Sequence, residues 1–288
     1  MSVRIAAAGR GRRATVWQLF RRNRLALLGL VVIVALGLGA VAAPLIAPRA
    51  PDEVSYDLLK PPSGGHLLGT DDVGRDELSR LIYASQVSLA VGISVSLVTV
   101  LIGTVIGALA GYHRGAVDSW LSGLINVMLS IPMIPLAMVL GAFLKKDLLF
   151  IIGILAAVGW TGTARIIRGE FLSLRERDYV LAARSLGASS VRIMVRHILP
   201  NAMAPIIVAA TLGVAHAVLA ESALSYLGFG IQPPIPSWGN MLQNSQTYLR
   251  TAPLLAVYPG ALISLTVISI NMVGDGLRDA LDPRLRNL

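Results

Sequence analysis

The chain has 288 residues, of which 55% are hydrophobic and only 14% are charged. Long stretches carry no charge, whereas a soluble domain of this size would spread charges over most of its elements, so the composition indicates a membrane protein. The formal net charge of +9 is then expected in loops that set orientation, and no nucleic-acid partner is expected. The absence of cysteine excludes disulfides, thiolate catalysis and cysteine metal sites.

Apolar segments predict a protein that crosses the bilayer six times. The first, 25–47, follows a basic stretch as in a signal peptide, but it reaches about 35 Å as a helix, enough to cross roughly 30 Å of hydrocarbon, and is predicted to be a retained anchor. The others are 87–111, 120–143, 148–164, 203–224 and 252–273, with the fourth expected to run a few residues further. Each is expected to be helical, because backbone amides in hydrocarbon must be paired within the segment.

Proline and glycine positions predict local features of these spans. Pro132 and Pro135 in the third span, and Pro259 in the sixth, predict kinks or local unwinding. The second span carries small residues on one helix face, which predicts close packing of another helix. These residues are Gly103, Gly107 and Gly111.

Most of the 25 basic residues lie in the N-terminal tail, the turn at Arg114, the loop 165–201 and the C-terminal end. The positive-inside rule therefore predicts that both termini are cytoplasmic and that the loop 226–251 faces outward. The expected division of the chain is a tail 1–24, an N-terminal span 25–47, an external loop 48–86, a core 87–278 that includes the loop 165–201, and a tail 279–288.

The loop 165–201 predicts two amphipathic helices joined by a glycine turn. The first has apolar residues at helical spacing: Tyr179, Ala182, Ala183 and Leu186. Gly187 suits the left-handed backbone conformation that ends many α-helices, and Ser189 or Ser190 can cap the next helix. The second helix repeats the spacing before Pro200 ends it: Val191, Met194, Val195 and Ile198. Such a pair could rest on anionic lipid or dock in a groove of a soluble partner.

This loop resembles the EAA loop of ATP-binding-cassette (ABC) importer permeases. The resemblance is carried by Leu181-Ala182-Ala183-Arg184-Ser185-Leu186-Gly187 and the following His197-Ile198-Leu199-Pro200, although Leu181 replaces the family's acidic first residue. In that family the loop forms the coupling helix that enters the ATPase subunit. The residues expected to couple transport to ATP hydrolysis are Tyr179, Ala182, Ala183, Arg184, Ser185, Gly187 and Ala188, with His197 and Pro200 supporting the loop.

Three other segments, 66–83, 221–240 and 271–284, are similar to the C-type permease of dipeptide, oligopeptide and nickel importers. The resemblance implies an all-α type I importer permease with an extra N-terminal span, in a prokaryotic cytoplasmic (inner) membrane. It also implies a homologous B-type permease, two ABC ATPases that hold ATP and Mg²⁺, and an extracytoplasmic binding protein. Membrane lipid surrounds the subunit. Peptides are the expected substrates, with nickel chelates, glutathione or other small solutes left as alternatives. No pore-lining residue is indicated.

The sequence disfavours two enzyme functions. The chain lacks a P-loop, because none of Lys60, Lys145 and Lys146 precedes a hydroxyl residue, so it is not expected to hydrolyse ATP. An intramembrane hydrolase is disfavoured because no His-Glu-x-x-His pair and no Gly-x-Ser-x-Gly elbow occurs. His216, within a span, is interpreted as a hydrogen-bonded packing residue.

The alternative left open is an ion-coupled secondary transporter, which would need intramembrane acids. Glu221 and Asp275 lie near span ends, and both are expected to accept hydrogen bonds, Asp275 with Arg278. No internal repeat supports this alternative. The stretch 233–240 predicts a rigid turn, with Trp238 either at the membrane interface or facing a binding protein.

Overall fold

The computed structural model describes residues 15–143 and 147–282, and these ranges contain helices but no strand. In chain order the α-helices are α1 (Val16–Phe20), α2 (Arg24–Val41), α3 (Ala43–Ile46), α4 (Glu77–Tyr112), α5 (Ala116–Ser130), α6 (Met133–Phe143), α7 (Leu148–Leu174), α8 (Asp178–Ser185), α9 (Ser190–Ile193), α10 (Met203–Tyr226), α11 (Trp238–Ser245) and α12 (Leu254–Leu281). Parts of the predicted tails, 1–14 and 283–288, and Lys145 and Lys146 lie outside the described residues.

Five helices are long and apolar enough to cross a membrane: α2, α4, α7, α12 and the helix Ser190–Tyr226, which ends with α10. A sixth span exists if α5 and α6 form one broken span, since the two meet at an angle of 84°. The break lies at Ile131 and Pro132, so the predicted local unwinding is confirmed. Pro259, in contrast, lies inside α12 without interrupting it. The predicted all-α membrane architecture is confirmed.

Two spans extend beyond their apolar segments. α4 begins at Glu77 rather than at residue 87, because Asp76 caps it by accepting a hydrogen bond of 2.9 Å from the Ser79 N–H. α7 continues to Leu174, so residues 165–174 of the predicted loop are helical. Apolar runs mark only the hydrocarbon part of a helix, and polar turns beyond that part are stabilised by caps and by burial.

The glycines of α4 allow α7 to approach closely, as predicted. A Cβ atom at Gly107 would lie 2.5 Å from the Ala164 carbonyl oxygen, and one at Gly111 would lie 2.6 Å from that of Arg168. A Cβ atom at Gly103 would lie 2.8 Å from the Trp160 carbonyl oxygen. Only glycine fits these positions, because any side chain would overlap the backbone of α7.

The N-terminal span α2 packs against the last helix, α12. A Cβ atom at Gly29 would lie 2.5 Å from the Ser269 carbonyl oxygen, and one at Gly276 would lie 2.3 Å from the Ala26 Cβ. Phe20, on the short helix α1 before the span, is buried in the same apolar cluster as Ala26. The extra N-terminal span, α2, is therefore fixed to α12, and α12 in turn packs against α10.

Candidate functional site

The predicted glycine turn of the loop is present between α8 and α9. Gly187 has φ +79°, its N–H donates to the Arg184 carbonyl oxygen (3.0 Å), and the Ala188 N–H donates to that of Ala183 (3.1 Å). These two bonds form a Schellman motif, which satisfies the last carbonyl groups of α8. Ser189 then caps α9 by accepting from the Arg192 N–H (3.4 Å). The chain thus reverses within a few residues at Gly187.

Contacts with α4 and α7 hold this loop in place. Val180 of α8 is fully buried in an apolar cluster with Phe171, Ile193 and Ile198. The Arg175 guanidinium donates to the Tyr112 carbonyl oxygen at 2.6 Å, at the end of α4. The Arg184 guanidinium lies 5.9 Å from the centre of the Tyr112 ring. The loop is therefore packed against the ends of both spans.

The opposite side of the loop is apolar and exposed. Leu186 is 88% exposed and Val191 is 65% exposed. Together with three neighbours these side chains form the exposed apolar patch: Tyr179, Leu181, Leu186, Val191 and Val195. Exposed arginines accompany it: Arg184, Arg192 and Arg196. Five exposed large apolar side chains on one short loop indicate an interaction site rather than a solvated face.

The second half of the loop differs from the predicted helix. Only Ser190–Ile193 is α-helical, followed by a π-helical turn, Met194–Ile198, and a 3₁₀ turn, Leu199–Ala202. The Asn201 side chain donates to the His197 carbonyl oxygen at 2.7 Å, and Pro200 is exposed. The two expected support residues thus lie in the irregular turns that lead into α10.

Glu221 of α10 accepts hydrogen bonds from serine side chains, as predicted. Its buried carboxyl group accepts from the hydroxyl groups of Ser225 (2.7 Å), Ser222 (3.4 Å) and Ser88 (3.4 Å). Ser88 belongs to α4, and its hydroxyl oxygen also accepts from the Trp238 backbone N–H at 3.2 Å. Glu221 therefore links α4 and α10 to the start of α11.

The expectation for Trp238 is wrong. Its side chain is fully buried, so it neither lies at the membrane interface nor faces a partner. The stretch before it does form a fixed turn, in which Ser237 and Asn240 make a reciprocal capping box at the start of α11. Burial follows from close packing, since a Cβ at Gly239 would lie 2.7 Å from the Ser222 Cα. The predicted loop 226–251 thus contains a packed helix and is not open throughout.

We expect Glu221→Leu to destabilise the protein and Glu221→Gln to preserve both fold and transport. Leucine leaves buried hydroxyl groups without an acceptor, at a cost of about 1–3 kcal/mol, whereas the glutamine amide oxygen still accepts from Ser225. Thermal unfolding of the detergent-solubilised subunit measures the first effect, and solute uptake measures the second. Loss of uptake in a stably folded glutamine variant would instead indicate a proton-carrying carboxyl group.

A polar cluster at the start of α4 fixes the segment between α3 and α4. Asp76 accepts from the Ser79 hydroxyl (2.7 Å) and pairs with the His66 Nδ1 atom (2.9 Å), while the Arg80 guanidinium donates to the Pro51 carbonyl oxygen (3.0 Å). Burial acts to raise the pKa of Asp76, but the hydrogen bonds outweigh it and leave the pKa lowered. This stabilisation is present above the ordinary carboxyl pKa and is lost as the pH falls through the folded-state pKa.

A cavity of about 870 Å³ lies between α7, α10 and the break between α5 and α6. Its wall is mostly apolar, and among its described lining residues His216 is the only ionisable one. The interpretation of His216 as a hydrogen-bonded packing residue is wrong. Its side chain is exposed to the cavity and bonds to no described residue.

A second cavity, of about 470 Å³, continues from the first towards the end of α12. Both cavities are lined by Ile166, Ala209 and Leu212, and the second adds Glu170 and Arg278. The expected contact between Asp275 and Arg278 is absent, because the described ion pairs do not join them and Asp275 is exposed.

The sequence did not predict the cavity or the polar cluster at the start of α4. The part of the cavity lined by α10 could have been suspected from small residues at helical spacing around a lone histidine. The sequence does not show, however, which face of the helix meets lipid. Within the described ranges, no group of three His, Asp or Glu side chains could hold a metal ion.

Comparison with known proteins gives two family matches. Residues 103–287 match the model of the binding-protein-dependent transport system inner membrane component, and residues 12–62 match the N-terminal transmembrane domain of oligopeptide transport permease C. The chain is 40% identical to the dipeptide transport system permease protein DppC of Alkalihalophilus pseudofirmus, over 93% of this chain and 88% of that protein.

Two further relatives are similar over nearly their whole length. The chain is 41% identical to the di/tripeptide transport system permease protein DppC of Pseudomonas aeruginosa, over 94% of this chain and 92% of the relative. It is 39% identical to the oligopeptide transport system permease protein OppC of Bacillus subtilis, over 93% of this chain and 88% of that relative. All three relatives are thus named as permeases of peptide transport systems.

Proposed function

Because the chain belongs to the family of inner-membrane components of binding-protein-dependent transport systems, we propose that it is a permease subunit of an ABC importer for di- or oligopeptides. The dipeptide, di/tripeptide and oligopeptide systems of its relatives support this substrate class. In this proposal the subunit forms half of the translocation path in a prokaryotic inner membrane, and a homologous B-type permease forms the other half.

The exposed apolar patch on the loop between α7 and α10 is the observation that carries this function. Its side chains are not needed to hold the loop, because Val180, Ile193 and Ile198 do that from the buried side. Helices that present apolar side chains to water are suited to a groove on a soluble partner. Among the expected coupling residues, the exposed ones are proposed to make this contact together with the patch: Tyr179, Ala182, Arg184, Ser185 and Gly187. Ala183 and Ala188 are half-buried against the cluster that holds the loop, so they are proposed to support the contact surface from behind.

The soluble partner is an ABC ATPase, of which the assembly holds two. The chain has no P-loop lysine, so ATP and Mg²⁺ belong to those subunits and this subunit has no catalytic role. The arginine-rich loop and both termini then lie in the cytoplasm, where positively charged loops are favoured. The segment between α3 and α4 faces outward, on the side of the binding protein.

ATP binding closes the ATPase pair, moves the two coupling loops together and opens the cavity outward. The extracytoplasmic binding protein then delivers peptide, and hydrolysis returns the cavity to its inward-facing state. This sequence is alternating access by rigid-body movement. The contacts of Arg175 and Arg184 with Tyr112 provide the link by which loop movement reaches α4.

Purification of the subunit from its native membrane in mild detergent, with mass spectrometry of bound proteins, tests this function. We expect a second permease and at least one P-loop ATPase to remain bound. Recovery of the subunit alone, with uptake driven by an ion gradient in vesicles, would contradict the proposal and favour a secondary transporter.

A further inference from the structure

One face of α10 lines the 870 Å³ cavity along most of the helix. The residues recur at the three- and four-residue spacing of a single face: Ala209, Leu212, Gly213, His216, Ala220 and Ala223. From Ala209 to Ala223 the helix rises about 21 Å, which is most of the roughly 30 Å hydrocarbon thickness. The cavity is therefore a long groove across the membrane rather than a local gap.

The opposite side of the groove includes the break between α5 and α6. Pro132, Met133, Ile134 and Pro135 line the cavity at the point where the two half-helices meet. Irregular backbone at membrane depth leaves peptide groups without helical partners, and it is tolerated only where it is covered by protein or lines a water-filled space. The position of the break therefore indicates that the groove does not face lipid.

His216 gives an independent indication of the same kind. It lies near the middle of α10, and its imidazole has no hydrogen-bond partner among the described residues. Leaving an imidazole unpaired against lipid tails is costly, so polar side chains in spans face a protein interior or an aqueous cavity.

We infer that this face of α10 is the wall that the subunit contributes to the substrate path, and that His216 hydrogen-bonds the terminal carboxylate of a peptide in that path. The inference rests on the proposed function and adds the residues that meet the substrate. A carboxylate is the peptide group that most needs a donor after it leaves water, and an imidazole N–H supplies a charge-assisted bond. The second cavity continues beyond Leu212, and its mostly apolar wall includes the charged residues Glu170 and Arg278.

The wall can be tested by thiol labelling, because the chain contains no cysteine. Ala209→Cys and Ala223→Cys place small thiols on the α10 face. Val34→Cys on α2 is the lipid-facing control, because the Val34 side chain is 50% exposed. In membranes that contain the whole complex, a water-soluble maleimide is expected to label both α10 variants at least about tenfold faster than the control. The reason is that only a hydrated thiol ionises to the reactive thiolate.

Labelling of the α10 variants at the rate of the Val34→Cys control would overturn the inference, because it would show that lipid or a partner helix covers this face. Peptide uptake by the unmodified complex is measured in the same membranes. If the complex takes up peptide but the α10 thiols are not labelled, only the assignment of this α10 face to the substrate path is refuted. If the complex takes up no peptide, the proposed function itself is refuted.

The role of His216 is tested with a peptide and its C-terminal amide, which lacks the carboxylate. His216→Leu is expected to lower uptake of the free peptide about tenfold and uptake of the amide much less, and His216→Gln, which retains an N–H donor, should restore most of the difference. The binding protein is the same in every variant, so its own selectivity cancels. Equal loss for both peptides, or no loss for either, would overturn the assignment.

Discussion

Replacing Gly187 with valine is expected to abolish peptide uptake and substrate-stimulated ATP hydrolysis, while the subunit still inserts into the membrane. Gly187 has φ +79°, a conformation that costs a β-branched residue on the order of 1–3 kcal/mol. A side chain there would meet open space, so the substitution acts on the backbone turn and not through a clash. Loss of the turn releases the Schellman bonds and moves α8 relative to α9.

Two control variants separate the turn from general damage. Gly187→Asn should retain much of the activity, because asparagine tolerates the left-handed conformation. Gly115→Val strains another turn, at a residue with φ +77° and open space around it. Because this turn lies outside the proposed contact surface, the variant should keep its substrate-stimulated ATP hydrolysis. ATPase assays on the purified complex, with and without loaded binding protein, measure the outcome. Normal stimulation in Gly187→Val would remove this turn from the coupling mechanism.

Gly107→Val is expected to have the largest effect on stability. Its Cβ would lie 2.5 Å from the Ala164 carbonyl oxygen and 3.0 Å from the Arg168 nitrogen, both in the backbone of α7. Neither atom can move alone, so α4 and α7 must separate, and overpacking of this kind costs about 1–3 kcal/mol or more. We expect the unfolding midpoint of the detergent-solubilised subunit to fall by about 5 °C or more.

Gly169→Val is the matched control for Gly107→Val. Gly169 lies on α7, the helix that Gly107 of α4 contacts, and nothing lies near the position of its Cβ atom. Valine there should change the unfolding midpoint little. A similar midpoint for the two variants would mean that the contact between α4 and α7 does not limit stability.

Features set by local chemistry could be predicted from the sequence. Apolar length identified the spans, Pro132 marked the break in the third span, and Gly187 followed by Ser189 marked the turn and cap of the loop. Each of these depends on neighbouring residues alone. The broken third span shows the limit, because the 84° angle depends on packing against α7 and α10.

Features set by distant contacts could not be predicted. Trp238 is buried because α11 packs on α10, and Glu221 binds Ser88 across a large separation in sequence. His216 looked like an ordinary packing residue because a single sequence does not reveal that its helix face borders a cavity. Whether a polar side chain is paired, buried or open to water depends on tertiary structure.

The packing of α2 against α12 has a consequence for how the protein is made. Gly29 meets Ser269, so the ribosome must add about 240 residues between the two sides of this contact. At roughly 5–20 residues per second, α2 waits about 12–48 s in the bilayer before its partner is synthesised. After Arg24 the span carries no charged residue, so it can remain in lipid alone during that interval. Completion of the fold is therefore a late event, reached only when the last span inserts beside an N-terminal helix already in place.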